Sequence, residues 1–279
     1  MQFDGKQASY LPHIIPLPKD SQNVSRVCTS VYGVSNFSNS TTHFYLNFPH
    51  WTAGPNLSIT ILYNSVLEYF TSITHQRSAK LVLQIDNCAK DGKNKYIFAF
   101  AAHMVYWSWF EEVLIVFLIQ GHTHDLIDGT FAVWTGGERK WCIPSSHQLQ
   151  FFISKKFNTN KSSFTFLRTM NNWTAYFEPT ITEFHQHSEA RMFKFFKNEN
   201  EEVIMKYKTN PLKDTWHGFQ LSGSSIQHGI QVCSFYQQQT PDKILPEPLP
   251  TEQLIQIATS PLVTKYYSQL DSIFWNNMV

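Results

Sequence analysis

The sequence predicts an α/β fold, a mixed sheet with flanking helices, and a smaller α+β region towards the C-terminus. Three observations predict it. Runs rich in β-formers come first, and a helix–strand–helix–strand succession follows them, as in parallel α/β units. The runs VLQI (82–85) and VLIVFLI (113–119) are continuously apolar, the pattern of strands covered on both faces. The first of them ends on an aspartate, at the strand terminus where open α/β sheets place their chemistry.

The elements follow in order. Residues 1–3 read as the end of a strand, Asp4-Gly5 as its exit, and the Pro-punctuated stretch 12–18 as a loop. VSRVCTSVYGVSNF (24–37) and HFYLNF (43–48), parted by an Asn/Ser turn, predict a hairpin. Gly54-Pro55-Asn56 opens a helix in which Leu57, Ile61, Leu62, Val66, Tyr69 and Phe70 recur at helical spacing. KLVLQI (80–85) is a short strand ending at Asp86-Asn87-Cys88. The polar loop AKDGKNK (89–95) leads into a buried helix over 96–109. EEVLIVFLI (111–119) is the next strand, closed by Gln120-Gly121-His122.

After Gly136-Gly137 the texture changes. SHQLQFFISKKF (146–157) fits a helix, and ARMFKFFKNENEEVIMKYK (190–208) fits a hairpin turning at 198–200. TPDKILPEPLP (240–250) reads as a Pro-broken linker, with helices expected around 253–257 and 263–275. This divides the chain into a catalytic-type domain (1–145), an α+β extension (146–239), and a linker with terminal helices (240–279).

Composition narrows the function classes. Hydrophobic residues make up 42% of the 279, enough for a core and against wholesale disorder. The net charge of +1 lacks the basic excess of a self-sufficient DNA-binding protein, so a nucleic-acid partner would need a local patch, bound metal or another segment. Cys28, Cys88, Cys142 and Cys233 form no CxxC pair, which argues against a structural zinc knot. The apolar stretches 96–110 and 113–119 are too short or interrupted to span a membrane, and no secretory signal opens the chain. The expectation is a protein that is neither membrane-bound nor secreted.

Three aspartates stand at separate elements: Asp4 after an apolar run, Asp86 at the end of the 80–85 strand, and Asp128 in GHTHDLIDGTF (121–131). Carboxylates converging from three elements can hold a pair of divalent ions roughly 3.5–4 Å apart, suited to phosphoryl chemistry. Hard oxygen ligands favour Mg²⁺ or Mn²⁺. Each aspartate also has a plain structural reading as a turn residue or helix cap. His122 and His124, with Asp125 or Asp128, form a denser polar cluster. They would ligate zinc only with a third ligand, such as His103 or His13. Asn87 and Asn94 are placed to orient Asp86 or meet a phosphate, and Lys90, Lys93 and Lys95 form a small basic loop able to contact one. Trp134, Trp141 and Trp173 read as packing residues.

The block LVLQIDNCAKDGKNKYIFAFAAHMV (81–105), followed by VLIVFLIQGHTHDLIDGTFAVW (113–134), resembles a transposase-derived domain of eukaryotic transposon proteins, itself similar to RNase H-like three-aspartate transposase cores. Phe3-Asp4-Gly5 with Leu11-Pro12, Asp86-Asn87-Cys88, and Gly121-His122-Thr123-His124 with Asp128 carry the resemblance, over about residues 1–140. It implies an RNase H-like mixed five-stranded sheet whose first three strands are antiparallel, with Asp4 on the first strand, Asp86 ending the fourth and Asp128 after the fifth. It further implies Mg²⁺- or Mn²⁺-dependent cleavage or strand transfer on DNA, an oligomeric assembly, and a nuclear or otherwise cytoplasmic location. Relatives of this kind carry an upstream DNA-recognition region, so the chain is expected to be a piece of a longer protein. Two alternatives accompany this expectation: an inert remnant that binds nucleic acid or protein, and a His/Asp zinc hydrolase.

Overall fold

The computed structural model describes residues 1–13, 15, 25–47, 51–72, 78–86, 92–117, 126–157, 161–181, 189–212, 215–218, 240–246 and 251–260. In chain order the first elements are β1 (Gln2–Leu11), β2 (Val27–Asn36), β3 (Thr41–Asn47), α1 (Pro55–Ser72), β4 (Lys80–Ile85) and α2 (Lys95–Tyr106). Next come β5 (Glu112–Phe117), α3 (Leu126–Glu138), α4 (Ser146–Lys156), β6 (Ser162–Phe166), β7 (Met170–Asn171) and α5 (Trp173–Phe177). The last are β8 (Met192–Lys197), β9 (Val203–Lys208), β10 (His217–Gly218), β11 (Lys243–Ile244) and α6 (Thr251–Thr259). They form two compact units. One comprises Met1–Phe3, Ala53–Thr123 and Thr169–Leu245; the other comprises Asp4–Thr52, His124–Arg168 and Pro246–Val279.

In the first unit the strand order is β10-β9-β8-β5-β4-β1, with β1 entering through its first residues. β1, β4 and β5 are parallel neighbours: Phe3 pairs with Ile85, and Ile85 in turn with Phe117. Parallel neighbours need a crossover, and α2 supplies it between β4 and β5. β8, β9 and β10 continue antiparallel beyond β5. Asn94 starts α2 by accepting from the backbone N–H groups of Tyr96 and Ile97, both at 3.1 Å. From Ile97 to Val105 every residue of α2 is buried, so this helix is apolar all round and lies between two layers. Phe98 packs 4.4 Å from Phe193 on the sheet side. On the far side Phe100 and His103 meet Trp173 of α5, at 5.3 and 6.0 Å.

The structure departs from one expectation. The apolar runs of β4 and β5 are not covered on both faces: Leu81, Leu83 and Ile85 are buried, whereas Val82 is 48% exposed. In β5, Val113, Ile115 and Phe117 are buried, with Leu114 and Val116 only partly so. Apolar composition reports that a residue favours a strand; which faces are covered depends on where α2 lands.

In the second unit the order is β1-β2-β3-β6. The expected hairpin is present: β2 and β3 pair antiparallel from Ser30–Asn47 to Asn36–Thr41 around the turn at 37–40. β6 joins β3 in parallel. The core gathers Phe44 of β3 against Trp134 of α3 at 5.6 Å, with Phe152 of α4 and Leu254 and Ile257 of α6 in the same cluster. Gly33 lets α3 approach β2: a Cβ there would come within 3.1 Å of Phe131 Cζ and 3.2 Å of Ile127 Cγ2.

The mixed α/β architecture with flanking helices is thus present, and it is broadly compatible with an RNase H-like superfamily member. Four further strands add to the expected five: β6 pairs with β3 and β8 with β5, and β9 and β10 follow β8. Two local readings shift. Asp4-Gly5 is no strand exit, because β1 runs on to Leu11. Part of the expected linker is a strand, with Lys243 paired to Asn171 and Ile244 to Met170. The hairpin at 190–208 and the helices at 146–157 and 253–257 are found where expected. The helix expected over 263–275 lies outside the described residues. Among the described residues, no helix is long and apolar enough to cross a membrane.

Candidate functional site

In the first unit Gln2 and Phe3 are the register partners of Gln84 and Ile85. The next residue on β1 is Asp4, and the next after β4 is Asp86. Asp86 is exposed and Asp4 partly buried. One Asp4 carboxylate oxygen accepts from the Gly5 backbone N–H at 2.8 Å. Gly5 continues the strand beneath the Tyr32 ring, whose Cε1 would stand 3.1 Å from a Cβ at that position.

In the second unit Asp128 lies in the first turn of α3, where a carboxylate is favoured by the helix dipole. It lines an open groove of about 370 Å³ with Gly5, Phe131, Ala132, Thr135, Gly136 and Arg139. The helical residues of this group share one face of α3, since they recur at three- and four-residue spacing. Asp128 stands at one end of that face and Arg139 just past the other, so the groove is acidic at one end and basic at the other. Its wall is held twice: Gly33 seats the helix on β2, and Ser9 of β1 donates to Glu138 Oε1 at 2.8 Å. Gly5, directly after Asp4 in the chain, thus borders the same groove as Asp128.

The donor set suits a hard divalent cation in kind. Among the described residues, however, no three His, Cys, Asp or Glu side chains are gathered closely enough to hold a metal ion. Asn87, Lys90, His122, His124 and Asp125 lie outside the described residues. Of the further zinc-ligand candidates, His103 is fully buried among the rings of Phe100, Trp107, Trp109, Trp173, Tyr176 and Phe177. His13 forms a backbone bridge with Ile143.

The remaining candidates have structural duties. Asn94 is the α2 N-cap. Lys93 is no solvated loop residue: it is 6% exposed, and its ammonium donates to the Ala190 carbonyl at 2.7 Å over the Phe117 ring. Burial, helped by the nearby Arg191 guanidinium, pushes its pKa down to about 8. Lys95, the first residue of α2, is 2.9 Å from Glu178, and that hydrogen bond holds its pKa above the ordinary value. Tyr96 donates to the other Glu178 oxygen at 2.6 Å. Trp134 and Trp173 are fully buried, as expected of packing residues, while Trp141 is 37% exposed against Phe152.

Sequence reasoning missed Arg139 and the α3 groove. The recurrence of Asp128, Ala132, Thr135, Gly136 and Arg139 on one helical face was the available signal. A family model described as "Domain of unknown function (DUF7869)" matches residues 19–213. Asp86 and Asp128 fall inside that match, and Asp4 precedes it. No curated protein and no solved structure matches the chain.

Proposed function

The chain belongs to the DUF7869 family of domains of unknown function, and we propose that it performs metal-dependent phosphoryl transfer on DNA with Asp4, Asp86 and Asp128 as its carboxylates. The observation that carries this reading is the β1–β4 register. Two parallel neighbours that pair Phe3 with Ile85 each continue directly into an aspartate. The α3 groove adds support, since Asp128 and Gly5 border it together.

The chain's own part in the chemistry is to bind and orient. Asp4 supplies an oxygen donor from within β1 and Asp86 one from the position directly after β4, close to elements that hold geometry better than loops do. Asp128 supplies a third from a helix seated on β2 through Gly33. Arg139, at the basic end of the groove, offers a guanidinium for a phosphate oxygen. A bound pair of Mg²⁺ or Mn²⁺ ions would activate the attacking hydroxyl and stabilise the leaving oxygen.

Calorimetric titration of Mn²⁺ into the folded chain tests the reading. Saturable binding lost in both Asp86→Asn and Asp128→Asn supports it. Absence of binding in the wild type, or binding indifferent to both substitutions, overturns it. One observation favours the inert-remnant alternative: one Asp4 carboxylate oxygen is already engaged by the Gly5 backbone N–H. That alternative predicts nucleic-acid binding with no metal heat.

A further inference from the structure

The hairpin of β8 and β9 alternates from Met192 to Phe196 and from Val203 to Lys206. Phe193 and Phe195 face α2, where Phe98 packs against both, and Met205 and Val203 are buried on the same side. The opposite face carries Met192, Lys194 and Phe196 from β8, and Ile204, Lys206 and Lys208 from β9. The register sets Lys194 directly against Lys206, Met192 against Lys208, and Phe196 against Ile204. Lys208 is therefore the diagonal neighbour of Lys194; it is buried, at 9% exposure, with its ammonium over the Trp216 ring, so Lys194 and Lys206 are the more accessible charges of the patch.

Like charges directly opposite one another destabilise a sheet. The compensation within the chain is slight. Glu112 is the acid paired with this patch among the described residues, 3.9 Å from Lys194, and it also serves Lys80 at 3.7 Å. The lysines lie instead over aromatic rings: Lys194 and Lys206 over Phe196 at 5.1 and 5.5 Å, Lys194 and Lys208 over Trp216 at 4.8 and 4.6 Å. Next to them, Leu114, Val116 and the 48%-exposed Val82 extend the same incompletely covered face across β5 and β4.

We propose that this face binds a single-stranded nucleic acid, its phosphates meeting Lys194 and Lys206 and its bases lying against Phe196 and Trp216. Charge complementarity calls for a polyanion, and the rings call for one with flat faces to stack. A strand with unstacked bases satisfies both requirements, as on other sheet-borne stacking platforms. A duplex fits less well: β8 and β9 are flanked by β5 and β10, so they form no free ribbon to enter a major groove. The inference shares the nucleic-acid partner of the proposed function but uses none of its carboxylates.

The test measures fluorescence anisotropy of a labelled 20-mer of deoxythymidine with the full chain, in buffer containing a chelator. Saturable binding is expected. Lys194→Gln with Lys206→Gln should weaken it at least tenfold and reduce the salt slope by about 1.4, since each lysine contributes about 0.7 on single strands. Phe196→Leu should weaken it about fivefold or more through lost stacking while leaving the salt slope unchanged. Lys194→Arg with Lys206→Arg keeps the charge and should retain binding, which controls for misfolding alongside far-UV circular dichroism. No saturable binding by the wild type, or binding indifferent to the Gln pair, overturns the inference. So does equal competition by poly-glutamate or by a duplex of the same length. Asp86→Asn should leave this binding intact. Absence of Mn²⁺ binding in the wild type with the oligonucleotide still bound would therefore defeat the proposed function alone, and Mn²⁺ binding without oligonucleotide binding would defeat this inference alone.

Discussion

Phe3 of β1 and Ile85 of β4 are register partners in a parallel pair, and an aspartate follows each of them directly. Both partners are buried, at 3% and 1% exposure. The strand position that presents Asp4 and the strand end that presents Asp86 are thus each preceded by a core residue, and Asp86 itself is exposed.

Asp86→Asn is therefore expected to alter unfolding free energy by no more than about 0.5 kcal/mol, the usual range for an exposed side chain. It should at the same time remove the Mn²⁺ heat. Urea denaturation beside the calorimetric titration checks both, and a large loss of stability would mean that Asp86 serves the fold.

Lys93 ties stability to pH. Its folded pKa of about 8 lies below the ordinary 10.5, so between those values the unfolded chain binds more protons than the folded one. Its contribution to stability then rises with pH from about 8 to 10.5 and is flat below. Thermal melts of wild type and Lys93→Met across pH 7 to 10 should differ in slope, with the wild type gaining more. Parallel curves would refute the assignment.

Gly33→Val should be costly and should act on Asp128. The β-branched side chain would enter the space held by Phe131 and Ile127, and overpacking of this kind costs about 1–3 kcal/mol. The expected outcome is a lower melting temperature together with weaker Mn²⁺ binding, because α3 carries Asp128.

Trp173 separates volume from polarity. It is fully buried against Tyr63, Phe100 and Phe177, and its indole N–H has no hydrogen-bond partner among the described residues. Trp173→Ala should cost about 3–5 kcal/mol through the cavity left behind. Trp173→Phe should cost far less, because it also removes a buried donor. Denaturant titration of both variants distinguishes these outcomes, and equal losses would show that the indole N–H contributes.

Local signals carried the element positions. The Asn/Ser turn set the β2–β3 hairpin, Gly54-Pro55-Asn56 set the start of α1, and the two apolar runs located β4 and β5. Asp86 was legible because a strand end is a local event. The duties of Lys93 and Lys95 were not, since Ala190 and Glu178 are far along the chain and no spacing points to them. The Lys194–Lys206–Lys208 patch was half legible: period-two alternation placed these lysines on one side of their strands, but only the register set Lys194 against Lys206.

The sequence by itself determined the α/β character, the order of most elements and the three candidate aspartates, because periodicity, turn chemistry and apolar runs act over a few residues. The tertiary structure alone decided that β1 continues through Asp4, that β1 and β4 pair with the aspartates next in line, and that α2 buries one face of β4 and β5. It alone set the α3 groove on Gly33. Those outcomes rest on pairing and packing between segments tens of residues apart, where free energy depends on which surfaces meet and not on local pattern.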